Sequence, residues 1–387
     1  MLESLKTLIE PRHRKNIDWV VVFCVVLIMC ASVATVYSAS AGHARELAQA
    51  HRVGLLQAGR QAVFDLLGLG ILAYVATRDY VGVQRHTNLL YWGNIAFLLL
   101  VKVFGKEKKG AARWIDIGPL QFQPSELTKI CVILTLAVFL VRVGPRIKEF
   151  PVFLKSLFHI LPPMLLIKMQ PDLGTALVIA AIWLGMVFLA GADWRHLAAL
   201  GLAVVALGTV VWKTGKGLEG YQRTRVEVLF MSRQNMTKEQ RDQAYQGDQA
   251  LLAVGGGLVT GQGFRRGLQT GGGFVPDNWT DFAFAAFAEE TGLIGCLSLL
   301  FVYMVLLGRG LVCIAESEDT LGRLIAGGVL TYIGFHVFVN IAMNCSIAPV
   351  VGVPLPLFSY GGTAAWTNCI AIGLLLSVRM RRRKLQF

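Results

Sequence analysis

The chain is 387 residues long, 55% hydrophobic and only 16% charged, with a mean hydropathy of +0.56. That is too apolar and too charge-poor for a water-soluble domain of this length. The net charge of +13 comes without a soluble basic module, which argues against nucleic acid as a partner. Seven cysteines lie in or beside apolar runs with no C-x-x-C pair, so they read as buried structural thiols, with neither a disulfide framework nor a zinc site.

A membrane-crossing helix needs about 20 apolar residues, and about ten such runs account for most of the chain. The expected fold class is therefore an all-α polytopic membrane protein of about ten transmembrane helices. It has no internal repeat, and residues 1–387 are treated as one domain. Its first apolar run lacks a small-residue cleavage site and reads as a retained span. With an even number of spans and both tails basic, the positive-inside rule places both termini in the cytoplasm. One short loop runs against that rule. Lys106, Lys108, Lys109 and Arg113 would lie outside, which makes them a candidate anion site.

In chain order, spans one to three are expected at 17–39, 62–76 and 88–104, the second short and carrying Asp65. Residues 110–119 read as a loop or turn at headgroup level, where Trp114 suits the interface and Arg113 can hold a phosphate. Pro124-Ser125-Glu126 opens span four, with Ser125 as its cap. Glu126 and Lys129 share a helix face; their spacing does not separate a structural ion pair from a binding role. Span five, at 153–169, contains Pro162-Pro163, which should break or kink it. Asp172 falls in the first turn of span six, where a helix N-terminus favours a carboxylate, as a simple cap or as a site residue.

The sizeable extramembrane piece is 213–280, a long extracytoplasmic loop between spans seven and eight. It holds Arg223 and Arg225, a polar helical stretch at 232–249 ending in Gln249, and then a glycine-rich run. The glycines let backbone amides approach a phosphate or let the loop hinge, but no Gly-Lys-Ser/Thr follows, so this is not a Walker loop. At its end Thr280 is a natural N-cap and Asp281 sits in the first turn, where water gives way to hydrocarbon. Glu289 and Glu290 follow. One reading is a capped helix end plus an internal ion pair. The other is a carboxylate held at the lipid–water boundary to take a proton from a substrate that arrives from the membrane. Span nine, 324–344, aligns His336, Asn340 and Asn344 on one face, which favours an interhelical contact over a proton relay. The stretch 349–362 is apolar but cannot be helical, so it is expected to re-enter the membrane and line a cavity; span ten follows at 363–380.

Four stretches taken together resemble one family. They are Arg113-Trp114 with Gln123-Pro124-Ser125-Glu126-Leu127-Thr128-Lys129; Gln170-Pro171-Asp172-Leu173-Gly174-Thr175; Thr280-Asp281-Phe282 with Ala288-Glu289-Glu290; and Pro354-Leu355-Pro356 with Ser359-Tyr360-Gly361-Gly362. Their order and reach over nearly the whole chain resemble the shape, elongation, division and sporulation (SEDS) peptidoglycan polymerases, nearer the RodA-type elongation branch than the FtsW-type division branch. The resemblance implies an inverting glycosyltransferase that polymerises lipid II at the outer face of the bacterial cytoplasmic membrane. Asp281 would be general base on the acceptor GlcNAc 4-hydroxyl, and undecaprenyl diphosphate would leave. It also implies substrate contacts by Arg113, Trp114, Glu126, Lys129, Asp172, Arg225 and Gln249. Arg223 joins them on its charge, because a diphosphate leaving group calls for cations. A class B penicillin-binding transpeptidase and other elongation-complex proteins would be partners. A divalent cation (Mg or Mn) is implied as a cofactor, though no metal-ligand spacing in the sequence shows one. The chain departs from the family's Pro-Glu-x-His with Pro276-Asp277-Asn278-Trp279, so no role carries over to Asp277 or Trp279. Two alternatives remain: a flippase for the same lipid, supported by the broken helices, and a non-catalytic scaffold for a transpeptidase.

Overall fold

The computed structural model describes residues 16–41, 47–104, 106–108, 111–117, 120–214, 224, 227–228, 231 and 236–381. The long helices are α1 (Trp19–Ala41), α2 (Leu47–Thr77), α3 (Val83–Phe104), α4 (Pro124–Val143), α5 (Phe150–Lys168), α6 (Leu173–Leu189), α7 (Trp194–Thr214), α8 (Lys238–Gly256), α9 (Ala283–Glu316), α10 (Thr320–Asn344) and α11 (Gly362–Met380). Among the described residues, seven of them (α1, α2, α4, α5, α9, α10 and α11) are long and apolar enough to cross a membrane. The polytopic helical class holds. A large apolar core runs through the bundle, centred on α4, α6, α10 and α11, with a smaller cluster under the head of α9, while large side chains such as Trp19, Phe23, Leu66 and Phe301 point outward, as lipid-facing residues do.

The structure departs from the sequence reading in several places. The second helix is not short: α2 has 31 residues, because its polar first half is built of straight-chain and small residues that form helix without being apolar. Residues 111–117 are not a loop but the middle strand of an antiparallel ribbon, β1 (Lys106–Lys108), β2 (Ala111–Ile117) and β3 (Leu120–Phe122). The cap of α4 is Gln123 with Pro124 at the first helical position, not Ser125.

Pro162 and Pro163 lie inside a continuous α5. Pro163 offers no N–H to the carbonyl one turn earlier, that of His159. The Tyr91 hydroxyl of α3 donates to that carbonyl at 3.0 Å instead, so the helix survives. Thr280 is not the cap of α9. Residues 277–282 form a turn, and the helix starts after Phe282.

The start of α1 and the end of α11 meet at one end of the bundle. There Asp18, before α1, binds Arg309 of α9 and Arg379 of α11, each at 2.8 Å, and Arg379 also reaches Glu316 at 3.3 Å. Nearby, the buried Tyr80 donates to Asp319 at 2.5 Å. Burial, and then the bond to that carboxylate, push the Tyr80 phenol up, so it stays a donor.

Candidate active site

The opposite end is built on irregular backbone. Helix α9 is broken at Gly292 (φ 66°, ψ −165°), a conformation that costs a residue with a Cβ. The glycine-rich segment of the preceding loop fills the break. Gln262 and Gly263 donate to the carbonyls of Glu289 and Glu290 at 2.9 and 3.0 Å, and Leu293 and Ile294 donate back to those of Leu258 and Val259. Backbones approach this closely only because Gly261 faces Gly292. These amides are taken up by α9; they do not form an open phosphate cradle.

Glu289 and Glu290 are buried, and their partners are not cations. Glu289 accepts from the Gln269 and Thr270 amides at 2.7 and 2.9 Å and from the Thr270 hydroxyl at 2.7 Å. Glu290 accepts from the Ser38 hydroxyl and from the Arg265 amide at 3.2 Å. They anchor the loop; of the two readings the sequence offered, the internal ion pair at these carboxylates is not seen among the described residues.

Asp281 is half-buried at the head of α9. The turn before it begins at Asp277, whose φ of 48° is left-handed, and whose carbonyl accepts from the amides of Thr280 at 3.0 Å and Phe282 at 3.3 Å. A short acid tolerates that backbone better than a longer side chain does. Asn278 is buried and donates to the carbonyls of Ala39 and Thr270. The carbonyl of Asp281 itself accepts from Asn340 at 3.0 Å and from Asn344 at 3.2 Å.

The segment 345–361 is non-helical, as expected, and side chains take up several of its backbone groups. Asn340 donates to the Val353 carbonyl at 2.8 Å, His336 Nδ1 to that of Pro354 at 3.0 Å and Tyr303 to that of Pro356 at 2.6 Å. Ser359 Oγ accepts from the Leu355 amide and donates to the Thr280 carbonyl at 2.6 Å. The Tyr360 amide reaches the Trp279 carbonyl at 2.9 Å, and Gly361 reaches Gln61 at 3.2 Å. Gly352 lies beside Asp281: a methyl placed on it would stand 3.6 Å from Oδ2. The loop therefore fixes both the backbone and the surroundings of the carboxylate.

The same loop reaches the charged residues of α4 and α6. Glu126 and Lys129 form a buried ion pair at 2.7 Å. Because His336 Nδ1 must donate to a carbonyl, its Nε2 is an acceptor, and the Lys129 ammonium lies 3.3 Å from it. Lys129 also lies over the Tyr332 ring, 5.2 Å from its centroid. Asp172 is the N-cap of α6, one position before the first turn, as the simple-cap reading of the sequence has it. It accepts from the Thr175 amide at 3.1 Å, the Thr175 hydroxyl at 3.0 Å and Gln123 at 3.2 Å.

The other sequence candidates divide. Arg113 donates to the carbonyls of Gln170, at 2.6 Å, and Pro171, so two of its donors brace β2 against the turn before α6. Trp114 is half-buried on the same strand. Gln249 lies on α8, capped by Thr237 in a box with Gln240; its neighbour Ala250 packs with Phe282 and Ala285 under Asp281. Arg223 and Arg225 lie outside the described residues. Asn340 and Asn344 were legible as a polar stripe on α10, but their attachment to Asp281 was not.

The FtsW/RodA/SpoVE cell cycle protein family matches residues 18–384. The chain belongs to this family. It is 38% identical over 327 residues to the peptidoglycan glycosyltransferase MrdB of Escherichia coli K12, covering 84% of this chain and 85% of that one. Among solved structures, a chain of a peptidoglycan synthase complex that coordinates polymerization and crosslinking aligns with a TM-score of 0.76 at 30% identity, covering 94% of this chain and 97% of the other. The rod shape determining protein RodA of Thermus thermophilus aligns with a TM-score of 0.68 at 29% identity, covering 95% and 98%.

Proposed function

We infer that this chain of the FtsW/RodA/SpoVE family is a peptidoglycan glycosyltransferase of RodA type, with Asp281 as its general base. The observation that carries the base assignment is the setting of that side chain. It is half-buried at the head of a membrane helix, and its backbone is held by two buried asparagines. In the reaction we propose, Asp281 takes the proton of the acceptor 4-hydroxyl on GlcNAc of lipid II. The freed oxygen attacks the anomeric carbon of the growing chain from the face opposite the leaving group. The bond to undecaprenyl diphosphate breaks with inversion, and cations take up the charge that develops on the diphosphate.

Arg223 and Arg225 are the cationic candidates for that diphosphate; Lys129, proposed with them from the sequence, is fully buried and its charge is spent on Glu126. Glu126, Asp172 and Gln249 shape the substrate's surroundings, with Arg113 and Trp114 at the outer ribbon. Among the described residues no three His, Cys, Asp or Glu side chains converge as a metal cage. A Mg ion carried in on the diphosphate needs few protein ligands, and inhibition by EDTA reversed by Mg would reveal one. The membrane is the bacterial cytoplasmic membrane, with both termini in the cytoplasm and Asp281 outside. The expected partner is a class B penicillin-binding transpeptidase.

The test is polymerisation of lipid II by the purified protein with that partner. The expected result is glycan from the parent and none from Asp281→Asn at equal folded protein. Glycan at the parent rate from Asp281→Asn refutes the base assignment. Movement of labelled lipid II across liposomes without any glycan would point to a flippase.

A further inference from the structure

In a regular helix the carbonyl of Asp281 would accept from the amide of Ala285, four residues on. Here a side chain stands between those two groups. Asn344 Nδ2 donates to the Asp281 carbonyl at 3.2 Å, and Asn344 Oδ1 accepts from the Ala285 amide at 3.0 Å. The first helical bond follows only at the next residue, from Ala286 to the Phe282 carbonyl at 3.2 Å. The orientation of the Asn344 amide is fixed by chemistry, since a carbonyl needs a donor and an N–H needs an acceptor. Asn344 is fully buried, and its Nδ2 is also held by the Asn340 carbonyl at 2.8 Å. Asn340 in turn joins the Asp281 carbonyl to that of Val353 in the re-entrant loop.

We propose that Asn344 is a positioning residue for Asp281: its amide is spliced into the first turn of α9 and keeps the helix from growing back over the carboxylate. This rests on Asp281 being the base. Were the splice removed, the Asp281 carbonyl and the Ala285 amide would be free to bond each other, and α9 would gain residues at its head. Each residue added to a helix turns the chain by about 100°, so the Asp281 carboxylate would swing away from Gly352 and the acceptor. Asn340 ties the same carbonyl to the loop, so the carboxylate and the loop hold one register.

An isosteric acid at 344 would keep the bond to Ala285 but set an oxygen against the Asp281 carbonyl. A leucine would lose both bonds. The experiment measures kcat and KM for lipid II with Asn344→Leu, Asn344→Asp and Asp281→Asn, alongside thermal melts of each in detergent. Displacing a reacting group by about 1 Å costs about 100-fold in rate. The expected result is a fall in kcat of about 10- to 100-fold in both Asn344 variants, with KM unchanged, because Asn344 touches no substrate. Asn344→Asp, being isosteric, decides the matter should Asn344→Leu fail to fold.

Parent kcat per folded molecule overturns the proposal. So does a rise in KM at unchanged kcat, which would make Asn344 a substrate contact. Activity lost only in proportion to folded protein overturns it too, leaving a purely structural role. If Asp281→Asn is active, the base reading fails; if it is inactive and the Asn344 variants run at the parent rate, only the splice fails.

Discussion

The two ends of the bundle are held by different chemistry. At the Asp18 end, full charges are paired: Asp18 with Arg309 and Arg379, and Arg379 with Glu316. Around the backbone of Asp281 and the non-helical loop, neutral amides and hydroxyls do the holding: Asn340, Asn344, Ser359, Gln61 and Tyr303 each take a carbonyl or an N–H of irregular chain. An ion pair clamps helices but uses up the charges that form it. A neutral amide fixes a main-chain group without bringing a charge of its own. One end is closed by paired charges; the other is left open to irregular backbone.

The largest expected effect tests the open end. Asp281→Asn should lower lipid II polymerisation by about 10²–10⁴-fold, the usual worth of a general base, with an unchanged melting profile. At the closed end the effect should reverse in kind. Asp18→Ala leaves the buried Arg379 and the half-buried Arg309 without their shared partner, at about 3 kcal/mol, read as a lower melting temperature. Its activity per folded molecule should stay at the parent value. A drop there would mean that the two ends are coupled and the contrast fails.

Tyr80→Phe is a milder version, removing one hydrogen bond to a carboxylate worth about 1.5–3 kcal/mol, again visible in the melt and not in the rate. The smallest expected effect is Gly352→Ala. Its φ of 70° costs an alanine about 1–2 kcal/mol. The new methyl would also stand against Asp281 Oδ2, so stability and rate should both fall slightly. Gly352→Ala that melts lower but polymerises at full rate would place the working face of Asp281 elsewhere.

Much of this was legible in the sequence. The apolar runs marked the spans, the non-helical stretch after span nine followed from its prolines and glycines, and Glu126 and Lys129 were placed on one face. What stayed hidden depended on partners far away in the chain. Nothing around Pro162-Pro163 announces that Tyr91 will serve the orphaned carbonyl of His159. The polar first half of α2 is invisible to a hydropathy count. The glycine-rich loop looked open because the backbone of α9, which it stitches, lies thirty residues on. Thr280 fitted the pattern of a cap, but Asn344, over sixty positions away, does that work.

The break at Gly292 divides α9 into two pieces of different purpose. Unbroken, its 34 residues would extend about 51 Å, far beyond a hydrocarbon layer about 30 Å thick. The part after the glycine is long enough to cross by itself. The part before it, about nine residues or up to 13 Å long, is wrapped by protein instead, with Ala283, Ala285, Ala288 and Glu289 buried. It is a short internal strut between Asp281 at its head and the stitched glycine loop at its foot.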